Sequence, residues 1–467
     1  MRVAAVAFLV RPDASGRSAG AADPSFSPSF DSARGSGGWE VFWARRSPKL
    51  AFLGGFWAFP GGGAEPGDAS LQATCAREVR EETGLDIAPD RFLPAGRTVT
   101  PAWADLRFDA SYFVADVSAD AAAGAAGPVT LAGGELVECE WTAPELALER
   151  WHRGERLTSP VAVQALRAIA GGGSLADIAG RLADGLADPR VVRALDLRLF
   201  DLVPGLAMAA LRSPTIPPAT HTNCFVVGSG DVVVVDPGSP YPEEQQALDD
   251  GLAGRRLREI WVTHHHVDHV AGVEHLRALH GVPVAAHRGT AELLHGALRF
   301  DRLLEDDEVV ALGSRRLRAV FTPGHTLGHM AFLEETTRWV LAGDQVAGVG
   351  TVVIDPDEGD MAAYLGSLGK LEALAARVLL PAHGPIVTEP AVRLAEYRQH
   401  RLWREQRVLD ELSVTPMTVT ELVPAVYADV PAAMHGFAER SLLAHLIKLV
   451  RDGRAVEHAG RRYARRP

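Results

Sequence analysis

The chain has 467 residues, enough for about three domains of ~150 residues; at 47% hydrophobic and 23% charged it reads as globular. A formal net charge of −12 argues against general electrostatic attraction to nucleic acid and leaves only a local basic surface open. No apolar run reaches the ~18 residues of a membrane helix, and three well-separated cysteines, Cys75, Cys139 and Cys224, suit a reducing cytoplasm better than a disulfide framework.

Residues 3–10 are read as a first strand rather than the apolar core of a signal peptide. Residues 11–38, rich in Ser, Gly, Ala, Asp and Pro, read as a mobile loop, with order resuming at Trp39. Chemistry begins at Gly61-Gly62-Gly63 and continues in Arg77-Glu78-Val79-Arg80-Glu81-Glu82-Thr83-Gly84-Leu85. Leu71 to Arg80 is expected to be an amphipathic helix. Glu78, Glu81 and Glu82 follow one another at i, i+3 and i+4, so they share a face. Like charges so clustered call for cations, and hard oxygen ligands suit Mg²⁺ or Mn²⁺, which also bind substrate phosphates. This stretch resembles the Nudix box, whose second half matches from Arg77 through Leu85. In the first half Asp68 stands where the box has Glu, with one extra residue before Arg77. The resemblance covers 1–165 and implies a Nudix α/β/α sandwich that hydrolyses a nucleoside diphosphate linked to another group. Glu78, Glu81 and Glu82 would hold metal, Glu78 and Glu81 would be catalytic, and Arg77 would position a carboxylate. Ala44-Arg45-Arg46-Ser47-Pro48 and Phe52 to Gly62 resemble the subgroup that includes coenzyme A diphosphatases, which implies a nucleotide or CoA-type small molecule. Arg45 and Arg46 are candidates for phosphate contact, or simply exposed arginines at a strand end.

Residues 145–212 read as helices and loops broken at Gly171-Gly172-Gly173, with helical spacing over Asp177–Leu186 and Val191–Leu199. No chemistry is visible there. The stretch 166–204 is expected to be a helical linker packed between two enzyme-like domains.

Thr263-His264-His265-His266-Val267-Asp268-His269 follows the apolar run Ile260-Trp261-Val262. Imidazole and carboxylate suit borderline divalent metals, and alternate residues of an extended segment point the same way, so His264 and His266 can share an ion. Asp268 and His269 lie beyond the strand and can turn toward a second ion. Further polar residues close other apolar runs: Asp236, His325 and His329, Asp344, and His383. These motifs resemble the metallo-β-lactamase superfamily over 205–388, which implies a four-layer αβ/βα sandwich with a dinuclear site at one edge. By that resemblance one metal takes His264, His266 and His325, and the other takes Asp268, His269 and His383. Asp344 would bridge them, Asp268 would be catalytic, and Asp236 would orient ligands. The ions would be two Zn²⁺, or Mn or Fe. No Cys occupies a ligand position, a departure from true lactamases.

After Pro390 the pattern turns helical, with helices over Ala391–Leu412, Val419–Val426 and Ala438–Arg451. A hairpin then joins Ala455-Val456-Glu457 to Arg462-Tyr463-Ala464. That is a winged-helix order for 389–467. It resembles the C-terminal domain of a metallo-β-lactamase subgroup that includes endoribonucleases acting on single-stranded RNA. Arg461, Arg462, Arg465 and Arg466 on or beyond the wing suit phosphate contact, or a solvated tail on a docking domain.

The expected function is thus a two-site metal-dependent hydrolase. The second site cleaves a phosphodiester, with RNA as a candidate, or a thioester as glyoxalase II-like relatives do. His329 is a candidate proton donor or a structural residue. A third reading has the Nudix part binding nucleotide without turnover.

Overall fold

A computed structural model describes residues 1–13, 38–50, 52–100, 107–118, 129–188, 192 and 199–466. The Ser- and Gly-rich stretch at 14–37 and most of the helical spacing predicted over 191–199 lie outside the described residues. The chain divides into two compact units, Met1–Pro204 and Gly205–Pro467.

The first unit is built on the strand Arg2–Pro12. It pairs in parallel with Phe108–Asp116, and antiparallel with Trp39–Arg46 along one part and Gly61–Gly63 along another. Its side chains alternate between two cores. Ala4, Phe8 and Val10 pack on one side, while Ala5, Ala7 and Leu9 pack on the other. The second core is closed by the helix Leu71–Thr83 through Cys75 and Val79. The first is closed by the helices Pro144–His152, Pro160–Ala170 and Leu175–Ala187. Ala165, Leu166, Ile169, Ile178 and Leu182 are buried there against Phe8 and Trp43. Leu175–Ala187, expected within a linker, and Pro160–Ala170, which runs across that linker's start, are therefore one helix layer of the first sandwich. Their apolar stripe, spaced at 3.6 residues, covers the sheet face that Leu71–Thr83 leaves open.

The second unit holds two large sheets besides the small three-stranded sheet of the tail. One runs Arg302–Leu304, Val284–His287, Arg256–Trp261, Asp231–Val235, His221–Val227, Leu206–Arg212. The other runs Val309–Leu312, Arg315–Phe321, Met330–Glu334, Trp339–Gly343, Val378–Pro381. Trp261 of the first meets Phe332 of the second at 5.0 Å between ring centroids. Both are fully buried, and side chains of this size contribute ~2–3 kcal/mol each. The helices Met361–Ala373 and Pro390–Glu411 cover the second sheet through Tyr364, Leu368, Leu394 and Tyr397.

Leu206–Arg212 and Leu199–Val203 correct the expectation of helices and loops up to 212. Leu, Ala and Met favour helix locally. In Leu206–Arg212, ladder pairing with His221–Val227 overrides that propensity. The tail forms the expected winged helix: Val419–Val426, then His435–Arg451, then the hairpin Ala455–His458 with Arg462–Arg465. Two arginines of its leading helix, Arg401 and Arg404, are buried, with Arg404 paired to Asp429 at 2.8 Å. No helix among the described residues is long and apolar enough to cross a membrane.

Candidate metal centres

Five strands of the second unit end at one edge, and each C-terminal end delivers a polar group. Asp236 follows Asp231–Val235, and Thr263 to His269 follow Arg256–Trp261. Thr322 and His325 follow Arg315–Phe321, Asp344 follows Trp339–Gly343, and His383 follows Val378–Pro381. Buried ladders fix these ends, so the loops present side chains from a rigid frame. A short helix, Val267–Val270, turns Asp268 and His269 back toward the edge.

Hydrogen bonds settle which nitrogen of each ring carries the proton. The Thr263 hydroxyl donates to Asp236 Oδ2 at 2.7 Å, because a carboxylate only accepts. Toward His264 Nδ1, at 3.0 Å, the same hydroxyl must therefore accept, which leaves His264 Nε2 bare. His269 Nδ1 donates to Asp236 Oδ2 at 2.8 Å, His325 Nδ1 to the Val353 carbonyl at 2.9 Å, and His383 Nδ1 to the His221 carbonyl at 2.9 Å. His266 is turned the other way round. Its Nε2 donates to Glu358 at 2.7 Å and its Nδ1 is bare.

The bare nitrogens converge. His266 Nδ1 lies 2.9 Å from His264 Nε2 and 3.2 Å from His325 Nε2. Three lone pairs facing one another are repulsive without a cation among them. Tetrahedral bonds of about 2.0–2.1 Å place ligand nitrogens about 3.3 Å apart, close to the spacing found. Nε2 of His269 and Nε2 of His383 are buried and make no aligned hydrogen bond. His383 Nε2 instead lies 3.2 Å from Asp268 Oδ2. Asp344 reaches both sides, with Oδ1 3.6 Å from His269 Nε2 and 3.5 Å from His383 Nε2, and Oδ2 3.6 Å from His325 Nε2. Candidate ligand atoms thus fall into two adjoining groups, His264, His266, His325 and Asp344, and Asp268, His269 and His383, while a third cluster, His265, His266 and Glu358, shares His266 with the first. The donor sets fit divalent cations.

The two groups differ electrically. Burial and neighbouring imidazoles hold His264 well below its usual range and push His325 down to about 4. Those rings are already neutral, the form that binds metal. Burial works against charge on His383 too, but Asp344 and Asp268 outweigh it and push it up to about 10. His269 is likewise raised against burial by Asp236, Asp344 and Asp268.

His329 is fully committed. Its Nδ1 bonds the Thr322 hydroxyl at 2.9 Å and its Nε2 accepts from the Asp344 backbone N–H at 3.1 Å. It orients Asp344 and has no free proton for a leaving group. Glu358, which the sequence does not flag, takes His265 Nε2 at 2.9 Å as well as His266. It stands in an irregular acidic loop four residues beyond Val352-Val353-Ile354, a run too short to read as a strand and broken by Pro356, so it carries no clear sequence signal. Gly238 allows the turn at Asp268, because a Cβ there would sit 1.6 Å from the Asp268 carbonyl oxygen. Gly238→Ala is expected to cost about 2–3 kcal/mol through overpacking and to lower bound metal, read by denaturant melts and metal analysis.

In the first unit, Ser70 caps the helix Leu71–Thr83 and Gly84 ends it at φ 75°. Arg77 ties the motif together. It donates to Asp68 through Nε at 3.2 Å and Nη2 at 3.1 Å, to Glu78 at 2.9 Å, to Glu81 at 3.1 Å and to the Gly63 carbonyl at 2.8 Å. Asp68 therefore orients Arg77, and Arg77 positions Glu78. Gly62 lies so close over the helix that a Cβ would be 2.4 Å from the Glu78 carboxylate. Glu82 accepts from the Gly61 N–H at 3.0 Å, and burial pushes it up to about 8. Glu81 points outward and is 55% exposed in its side chain. Among the described residues, the three glutamates do not bring ligand atoms within 4.8 Å of one another as the second unit's groups do. Arg46 faces Glu135 at 3.9 Å. A cleft of about 500 Å³ beside the helix is lined by Arg77, Arg80 and Arg91 with Asp68 and Asp86.

Three family models match the chain in order: the NUDIX domain over 32–160, the metallo-beta-lactamase superfamily over 217–383, and the beta-lactamase associated winged helix domain over 418–462. The beta-lactamase-like protein 2 homolog of Caenorhabditis elegans is 31% identical over 242 residues, covering 50% of this chain and 79% of the relative. The chain belongs to the metallo-β-lactamase superfamily. As a member fused to a Nudix domain and a winged helix, it is a metal-dependent hydrolase. It is also similar to the atrochrysone carboxyl ACP thioesterase of Aspergillus chevalieri, 32% identical over 221 residues, covering 45% of this chain and 69% of the relative. A beta-lactamase domain protein from Burkholderia ambifaria shares the fold at TM-score 0.50 and 24% identity, covering 57% of this metallo-β-lactamase chain and 95% of that one.

Proposed function

We propose that the second unit hydrolyses acyl thioesters with two zinc-class ions held by the seven residues His264, His266, Asp268, His269, His325, Asp344 and His383. The character of the ligand loops carries this reading. Val267 stands between ligands His266 and Asp268, Leu327 lies two residues after His325, and Val349 has its backbone nitrogen 3.1 Å from a Cβ placed on Gly384, the neighbour of His383. All three apolar side chains are exposed, at 57%, 47% and 58%. Cations nearby are engaged. Arg393 bonds the Ala347 and Gly350 carbonyls, and Arg440 pairs with Asp355 and Asp357. An apolar acyl chain suits such surroundings better than a polyanion. The similarity to an ACP thioesterase supports the same bond.

When bound, the ions supply polarisation of the thioester carbonyl and a water acidic near neutral pH. Asp344 spans the two ligand groups and is held by His329. Asp268, beside His383, holds the proton released by the attacking water. The carbon–sulfur bond breaks, water's oxygen joins the acyl carbon, and the proton leaves with the thiol.

The first unit is assigned hydrolysis of a nucleoside diphosphate derivative of the coenzyme A type with Mg²⁺ or Mn²⁺. Glu78, Glu81 and Glu82 act on the metal side, and the cleft with Arg77, Arg80 and Arg91 suits phosphate. The free cysteines, two of them buried, fit a reducing cytoplasm. The second reading of the metallo-β-lactamase site, cleavage of single-stranded RNA, is favoured by exposed Arg461 and Arg465 at the wing. The test is turnover of acyl-CoA, acyl-ACP, single-stranded RNA and nucleoside diphosphate derivatives by the metal-loaded chain. Thioester cleavage lost in Asp268→Ala but kept in Glu81→Gln, with the reverse for diphosphate cleavage, is the expected result. RNA cleavage that Asp268→Ala abolishes, with no thioester turnover, would replace the first reading by the second.

A further inference from the structure

We propose that the winged-helix tail sets the geometry of the three-histidine metal position, with Arg440 and Arg451 as positioning residues acting through the segment 352–360. The inference rests on the two-ion reading above.

Segment 352–360 has no helix or strand of its own. No backbone ladder fixes where its groups point, so side-chain clamps must do so. On one side it carries the partners of the imidazoles. The Val353 carbonyl takes His325 Nδ1, and Glu358 takes His265 and His266. Its backbone also closes on the histidine loop, with Leu327 N–H to the Glu358 carbonyl at 2.7 Å and Asp360 N–H to the Gly324 carbonyl at 2.9 Å. On the other side it is gripped by the tail. Arg440 forks onto Asp355, with Nε to Oδ2 at 2.7 Å, and also reaches Asp357. Arg451 bonds Asp360, Ser441 Oγ accepts from Ile354 N–H at 3.4 Å, and buried Arg401 bonds the Val352 carbonyl.

Charge explains why the clamp is needed. Asp355, Asp357, Glu358 and Asp360 crowd four carboxylates into six residues. Left alone they would repel one another, and a loop without a ladder would spread. Arg440 pairs with Asp355 and Asp357 and Arg451 with Asp360, offsetting two of these three charges. Glu358 is thereby left free for His265 and His266, and bidentate Arg–carboxylate geometry fixes direction as well as charge. The Asp268, His269 and His383 group takes its orienting bonds from Asp236 and the His221 carbonyl, outside this segment. The tail should therefore act on one metal position and not on the other.

Co²⁺ titration of the metal-free full chain, followed by visible absorption, tests this. Glu358→Gln should weaken the three-histidine position about 10–100-fold, as removal of an outer partner does. Arg440→Gln should weaken the same position about tenfold and shift its absorption bands, leave the other position within about twofold, and keep the thermal midpoint. Arg440→Lys should recover most of the loss. Arg440→Gln with both affinities unchanged would overturn the inference, as would equal loss at both positions alongside a lower thermal midpoint. Wild-type protein that takes up fewer than two Co²⁺ would overturn the two-ion reading itself.

Discussion

Asp344→Ala is expected to abolish practical turnover at the metallo-β-lactamase site, by about a thousandfold or more, and to release one of two bound metals. The carboxylate spans the two ligand groups, with one oxygen 3.6 Å from His325 Nε2 and the other 3.5 Å from His383 Nε2. Its loss removes a ligand from both positions and leaves imidazoles facing each other uncompensated. Metal-ion stabilisation of a transition state is worth several kcal/mol, and each 1.36 kcal/mol is tenfold in rate. Without metal the variant should also be less stable, since Asp344 offsets charge on His383 and His269 and is itself held well below the usual carboxylate range by them. The checks are kcat with metal supplied in excess, metal content after dialysis, and thermal midpoints with and without chelator. Turnover within tenfold of wild type would remove Asp344 from the reaction.

The two positions should also load at different pH. His264 and His325 are held neutral by burial, His325 down to about 4, so neither of these two rings has a proton for metal to displace above about pH 5. His383 is pushed up to about 10 and His269 is raised as well, so both rings are charged at neutral pH before metal binds. Metal must displace those protons. Affinity at the second position should then rise about tenfold per pH unit per proton released, up to about pH 10, and more steeply than at the first. Metal binding measured between pH 5.5 and pH 8.5 should show one ion held throughout and the second gained with pH. Calorimetry in buffers of different ionisation enthalpy should report more protons released with the second than with the first. Equal pH dependence at both positions would contradict the assignment. Activity that needs both ions should follow the second curve.

Much of the metal site is legible in the amino-acid sequence. Asp236, His264, His325, Asp344 and His383 each end an apolar run, and a strand end is where a frame of buried ladders can offer a polar group. Glu78, Glu81 and Glu82 sit at helical spacing, and their helix starts at Leu71 as expected but runs three residues past Arg80 to Thr83. What the sequence conceals has physical reasons. Glu358 and the Val353 carbonyl lie in a loop with no periodicity, and a backbone carbonyl carries no residue signature at all. The helices after Pro160 read as a bridge, because an apolar helix face does not say which sheet it will cover. Leu206–Arg212 does not read as a strand, because its Leu, Ala and Met favour helix until a neighbouring strand pairs with them. The spread of Arg77 over Asp68, Glu78 and Glu81 also depends on a close approach that only Gly62 permits.

The Thr263 hydroxyl has one hydrogen, and that hydrogen points at Asp236. This single choice fixes His264 as a donor at Nδ1, while Asp236 fixes His269 in the same tautomer. Two rings from different candidate ligand groups are thus set by one shared proton arrangement. Valine at 263 matches threonine in shape but offers no such direction. The ring of His264 would be left to choose its tautomer, and the wrong choice aims an N–H at the incoming ion. The chain's commitment to metal is in that sense written in an oxygen that never touches one.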